Sequence, residues 1–147
     1  SRGLGDVYKR QVWDIIDAGL DGSIAEALSQ LDHLLASGEA AIAIFAQLSF
    51  VLRKYAAVAD RLGRNARSQR REPFEESAAA CGFRPWPNGA LRAAERRLSR
   101  IGKGRALFLH RWLLETDVAL KGSHAAPDRA RFALERLFLR LAGAVKV

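Results

Sequence analysis

The chain has 147 residues, 49% apolar and 27% charged, with a net charge of +8 and a sequence pI near 10.5. That length supports one domain with a real core, and the single cysteine, Cys81, excludes an internal disulfide framework. No uninterrupted apolar run approaches the roughly 18 residues of a membrane span, and no signal-peptide pattern is visible, so the expected setting has no membrane. The basic excess is mostly Arg and favours a polyanionic neighbour, nucleic acid first and an acidic protein second. The rival explanation is a general Arg-for-Lys bias. The chain contains no methionine, which predicts a fragment lacking its natural start.

Residues 1–11, SRGLGDVYKRQ, show no hydrophobic period, resemble a non-native, linker-derived leader, and are set outside the fold. Residues 12–22 read as the end of a preceding domain or a linker, and residues 23–143 as one helical domain. Ser23 followed by Glu26 reads as a capping box for a helix reaching about Ala36, with Ile24, Ala27, Leu28, Leu31, Leu34 and Leu35 on its face. A long helix is expected over residues 39–62, where Ile44, Phe45, Leu48, Leu52, Tyr55, Ala59 and Leu62 keep a spacing of three or four.

The composition then shifts. GRNARSQRRE over residues 63–72 reads as a basic linker, and with Arg61 it gathers Arg64, Arg67, Arg70 and Arg71. Pro73 precedes a short helix ending at Cys81, and GFRPWPNG is a loop around Trp86. The next helix, over residues 90–101, carries Arg92, Arg96 and Arg100 on one side and stops at Gly102-Lys103-Gly104. A helix over residues 107–120 is apolar almost all round, which predicts burial among other helices. Lys121-Gly122 closes it, and Pro127 opens a last helix striped by Ala130, Leu134, Leu137, Phe138 and Leu141. No strand alternation or internal repeat is present. The expected fold is all-α, an irregular bundle of five to seven helices.

Catalytic chemistry finds little support in these residues. Gly102-Lys103-Gly104 lacks the upstream glycine and the following Ser or Thr of a phosphate loop, and it follows a helix rather than a strand. His33, His110, His124 and Cys81 are not at metal-ligand spacing, so no metal and no cofactor is expected. His110 reads as a packed core or interface histidine and Cys81 as a small buried hydrophobe. Asp117 and Lys121 are i, i+4 on the apolar helix and read either as an ordinary helix pair or as an anchor for a loop or a neighbouring subunit. The two arginine clusters could each neutralise several phosphates, against the alternative of a solvated face, and no base-reading motif is present.

In order and spacing, several stretches resemble the C-terminal part of the delta subunit of the bacterial DNA polymerase III clamp loader. They are WDIIDAGLDGSIAEALSQLDHLLASGEA from Trp13, Val51-Leu52-Arg53, Phe83-Arg84-Pro85-Trp86, Ala93-Ala94-Glu95-Arg96 with Leu98, LLETDVALKG over residues 113–122, and Ala133-Leu134-Glu135-Arg136-Leu137. The resemblance covers nearly all of residues 13–142. It implies a helical collar domain that packs against gamma/tau and delta-prime subunits in a bacterial cytoplasmic loader. The sliding clamp would be reached only through a missing N-terminal domain, and the ATPase sites would lie on other subunits. It further implies primer–template DNA beneath the collar, with Arg67, Arg70, Arg71 and His124 facing it, and an interface through Trp112, Asp117, Lys121, Leu134 and Phe138. The rival expectation is a free-standing basic helical module, either nucleic-acid-binding or a scaffold.

Overall fold

The structure, a computed structural model, describes residues 2–122 and 127–144. Among them are seven helices and no strand: α1 (Arg2–Leu20), α2 (Ile24–Ala36), α3 (Ala41–Arg67), α4 (Phe74–Ala80), α5 (Ala90–Ala106), α6 (Leu109–Lys121) and α7 (Pro127–Ala142). The fold is thus an irregular all-helical bundle, as the periodicity predicts. The chain divides into two compact units, one of residues 1–50 with 111–147 and one of residues 51–110. Helices α3 and α6 each run from one into the other.

In the first unit α1 packs against α2 and α7, and α2 against α7. Residues 2–11, expected to stay outside the fold, continue the helix that buries Val12, Ile15, Ile16 and Leu20. The signal was there at the spacing of a helix face, since Tyr8 stands four residues before Val12 and is itself not exposed. Residues 12–22, expected to belong to a preceding domain or linker, pack in the same unit as α2 and α7. The turn out of α1 is a Schellman motif. Ser23 N–H donates to Ala18 O (2.8 Å), Gly22 N–H donates to Gly19 O (3.2 Å), and Gly22 takes φ 86°. Ser23 sits at the N-cap of α2 but makes no side-chain cap hydrogen bond, so the capping box does not form.

The core of this unit joins Ala27, Leu31 and Leu34 of α2, Ile44, Phe45 and Leu48 of α3, Trp112 and Leu113 of α6, and Leu134, Leu137, Phe138 and Leu141 of α7. Helix α6 is buried on one face only. Trp112, Leu113 and Thr116 are inside, while Leu114 and Val118, four residues apart, are each 63% exposed. The expectation of burial all round fails because the stripe through Leu114 and Val118 is left largely exposed. Thr116 satisfies its buried hydroxyl locally, donating to Trp112 O at 2.8 Å.

In the second unit the remainder of α3 buries Leu52, Tyr55, Ala56 and Val58, and α5 buries Ala94, Leu98, Ile101 and Ala106. The Tyr55 and Phe83 rings meet edge to face with centroids 4.9 Å apart. Helix α3 runs through residues 63–67, which the composition marks as linker, so Arg61, Arg64 and Arg67 are helical. By length and by the mean hydropathy of its most apolar 18 residues (1.4), α3 is also the one helix among the described residues long and apolar enough to cross a membrane, with 44% of that 18-residue stretch buried inside the chain. The count of uninterrupted apolar residues does not suggest this. Helix α5 is kinked at Gly102, whose φ 80° and ψ 156° are open in practice only to glycine. His110, expected as a packed core or interface histidine, is exposed and so is not core, and Cys81 is half-buried, its thiol pushed up by burial.

Candidate nucleic-acid interface

The charge of the chain is unevenly placed. Residues 51–110 hold fourteen of its 24 Lys and Arg but only five of its 16 Asp and Glu. The second unit therefore carries +9 and the rest of the chain −1. Any polyanion meeting this chain is drawn to that unit.

Not every cation there is available. Glu72 has a side chain only 3% exposed. Arg61 grips it with two parallel bonds, Nε to Oε1 at 2.7 Å and Nη2 to Oε2 at 2.9 Å. Asn65 Nδ2 donates to Oε1 at 3.2 Å, and the Ser77 hydroxyl donates to the same oxygen. The Arg61 fork, followed by the Ser77 hydroxyl, holds the Glu72 carboxyl down to a pKa of about 2. This cluster ties the end of α3 to the start of α4, so Arg61 is a structural cation.

Arg64 stands 3.5 Å from Asp60, and Arg70 Nη2 stands 3.6 Å from Glu72 Oε2 while remaining 66% exposed. Arg70 is placed by the turn that ends α3. Its N–H donates to Asn65 O at 2.8 Å, Gln69 N–H donates to Ala66 O at 3.3 Å, and Gln69 takes the left-handed φ of 57°. Arg105 folds back onto the kink, donating from Nε to Ile101 O (2.9 Å) and from Nη2 to Arg100 O (2.8 Å).

Exposed in this unit and without an ion pair among the described residues are Arg53 and Arg84, Arg67 and Arg71 at and just past the end of α3, and Arg92, Arg96, Arg100 and Lys103 along α5. The first three of the α5 cations recur every four residues, so they share one side of the helix. Of the residues that the resemblance aims at DNA, Arg67, Arg70 and Arg71 are exposed in the second unit, Arg70 leaning on Glu72. His124 lies outside the described residues.

No protein-family model, curated protein or solved structure matches this chain.

The residues expected at a subunit interface fare differently. Trp112, Leu134 and Phe138 are 1%, 0% and 0% exposed. The chain's own helices cover them, so they are core and not a face for a neighbour. Arg140 lies with its guanidinium carbon 5.9 Å from the Trp112 ring centroid, and its Nη1 pairs with Glu115 at 2.6 Å. Asp117 and Lys121 pair with each other at 2.9 Å, half-buried and exposed respectively, as an ordinary i, i+4 helix pair does. The first unit exposes apolar side chains elsewhere, Trp13, Phe50 and Phe132 among them, and the pair one turn apart on α6, Leu114 and Val118, is hidden in the sequence by the uniform apolarity of that helix. Among the described residues no three His, Cys, Asp or Glu side chains gather as a metal site.

Proposed function

We propose that this chain is a non-catalytic assembly module of clamp-loader type, similar to the C-terminal collar of the delta subunit of bacterial DNA polymerase III. It works by joining gamma/tau and delta-prime neighbours through its first unit while its second unit lies against primer–template phosphates. The observation that carries the DNA part is the partition of charge, +9 in residues 51–110 against −1 elsewhere, with Arg92, Arg96 and Arg100 in an exposed row. A row of cations without acidic partners replaces condensed counterions on a phosphate backbone and binds with little regard to sequence. The assembly part is supported by Leu114 and Val118, an exposed apolar pair one turn apart on a helix whose other face is core.

The test is size-exclusion chromatography with light scattering, on the chain alone and mixed with gamma/tau and delta-prime collar fragments. A mixed complex that disappears on Leu114→Asp with Val118→Asp supports the module. A folded monomer that ignores those partners but binds primer–template DNA tightly on its own would replace it with the free-standing nucleic-acid-binding reading.

A further inference from the structure

A cavity of about 660 Å³ opens in the second unit between the C-terminal part of α3, the first residue of α4 and α5. Its α3 wall is Ala59, Leu62, Gly63 and Ala66, and its α5 wall Leu98, Ser99, Gly102 and Ala106. Both walls follow the three-to-four spacing of a helix face, over roughly 10 Å of α3 and 12 Å of α5 at 1.5 Å per residue. The lining residues are small and mainly apolar, so two helix backbones border a trough rather than a chamber. Leu107, 76% exposed, stands at one end of it.

Its lips are charged. Arg67 comes from α3, with Nη1 lying 3.4 Å from where a Gly63 Cβ would be, and Lys103 comes from α5 just past the kink. Neither forms an ion pair among the described residues, and Glu95 is the only carboxylate in the lining.

We propose that this trough docks an amphipathic, acidic helix of a partner protein, the helix laying its apolar stripe between α3 and α5 and its carboxylates against Arg67 and Lys103. Two or three turns of helix match the length of the walls, and apolar side chains at i, i+3 or i+4 and i+7 are what such a groove reads. Charge complementarity selects the occupant. A unit at +9 repels a second copy of itself and attracts an acidic segment. A nucleic-acid backbone would satisfy the two cations but leave the apolar floor uncovered. The inference shares the cations Arg67 and Lys103 with the DNA-facing surface of the clamp-loader reading, but it rests on the apolar floor of the trough, which phosphate contact does not use.

The experiment is fluorescence anisotropy of the full chain with a fluorescein-labelled 16-residue helical peptide carrying Leu at i, i+4, i+7 and i+11 and Glu on both flanks. Two control peptides accompany it, one with every Leu changed to Ser, the other with every Glu changed to Gln. Binding by the first peptide, at least tenfold weaker for either control, is expected. Ala66→Trp fills the trough from an exposed helical position and should weaken binding tenfold or more while circular dichroism and duplex-DNA affinity stay unchanged. Lys103→Glu, which leaves the floor intact, should weaken it three- to tenfold and more so at low salt. No binding at 1 mM overturns the proposal. So does equal binding of the Leu-to-Ser peptide, or dodecanoate binding that Ala66→Trp abolishes while peptide binding persists.

Discussion

A Cβ placed on Gly19 would lie 2.7 Å from Cδ1 of Phe138, so α1 gives up a side chain where α7 inserts its fully buried ring. Helix α1 is thereby bound into the same core as α7. Gly19→Ala gains up to about 1 kcal/mol of helix propensity but forces Phe138 or a backbone to move, an overpacking cost of about 1–3 kcal/mol. Urea unfolding should show net destabilisation. Because the two side chains share one space, Gly19→Ala combined with Phe138→Leu should cost clearly less than the two single changes added together. Strict additivity would mean that the two helices do not meet there.

That contact also shows where sequence reading stops. The stripe of α7 and the long period of α3 are legible because each is an unbroken series of large apolar residues at one spacing. Phe138 is legible as apolar but not as core, because a stripe says that a face is covered and not by what. Here the cover is α1, whose N-terminal half shows little period in sequence because only Tyr8 marks it. The arginine clusters are legible as charge, while their division is not. Arg61 is structural because Glu72, eleven residues away, folds back beneath it. No local pattern announces a pair of that separation.

The Glu72 cluster predicts an acid-side stability profile. Its pKa of about 2 in the fold lies below the ordinary carboxylate value, so the unfolded chain binds more protons at this position. Its contribution is fully present above about pH 4.5, the ordinary value, and is lost as the pH falls from there toward 2. Glu72→Gln removes this dependence. Urea midpoints of the two proteins should differ most above pH 5, with the native chain the more stable, and converge toward pH 2. A gap that stays constant across the range would show that Glu72 is not held by Arg61 and Ser77.

Two turns in the second unit predict opposite results from one cause. At φ 80° and ψ 156°, Gly102 has open space where a methyl group would go, with no atom within 4 Å, so the obstacle to Gly102→Ala is backbone conformation alone. A residue forced into that region costs about 1–3 kcal/mol. Gln69 already bears the left-handed cost at φ 57°, where glycine is the usual occupant of such a helix end. Gln69→Gly should therefore stabilise the chain by about 1 kcal/mol. Thermal unfolding of both variants reads the two signs, and a stabilising Gly102→Ala would mean that the kink in α5 is not adopted in solution.

The exposed row on α5 predicts how DNA binding answers to salt. Each phosphate contact contributes about −0.9 to the slope of log K against log salt on duplex DNA. Arg96→Gln with Arg100→Gln should therefore weaken primer–template binding at low salt and flatten the slope by about 1 to 2, without favouring any sequence over another. Arg111→Gln with Arg131→Gln, which removes the same charge, is the matched control. Both side chains are accessible, but in the first unit Arg111 is engaged by Glu115 at 3.2 Å and Arg131 by Asp32 at 2.6 Å and Glu135 at 2.8 Å, so their loss should leave both affinity and slope unchanged. Equal effects from the two changes would reduce DNA binding to net charge alone, because a unit drawn to phosphate by its own surface must distinguish an unpaired row from a cation already held by carboxylates.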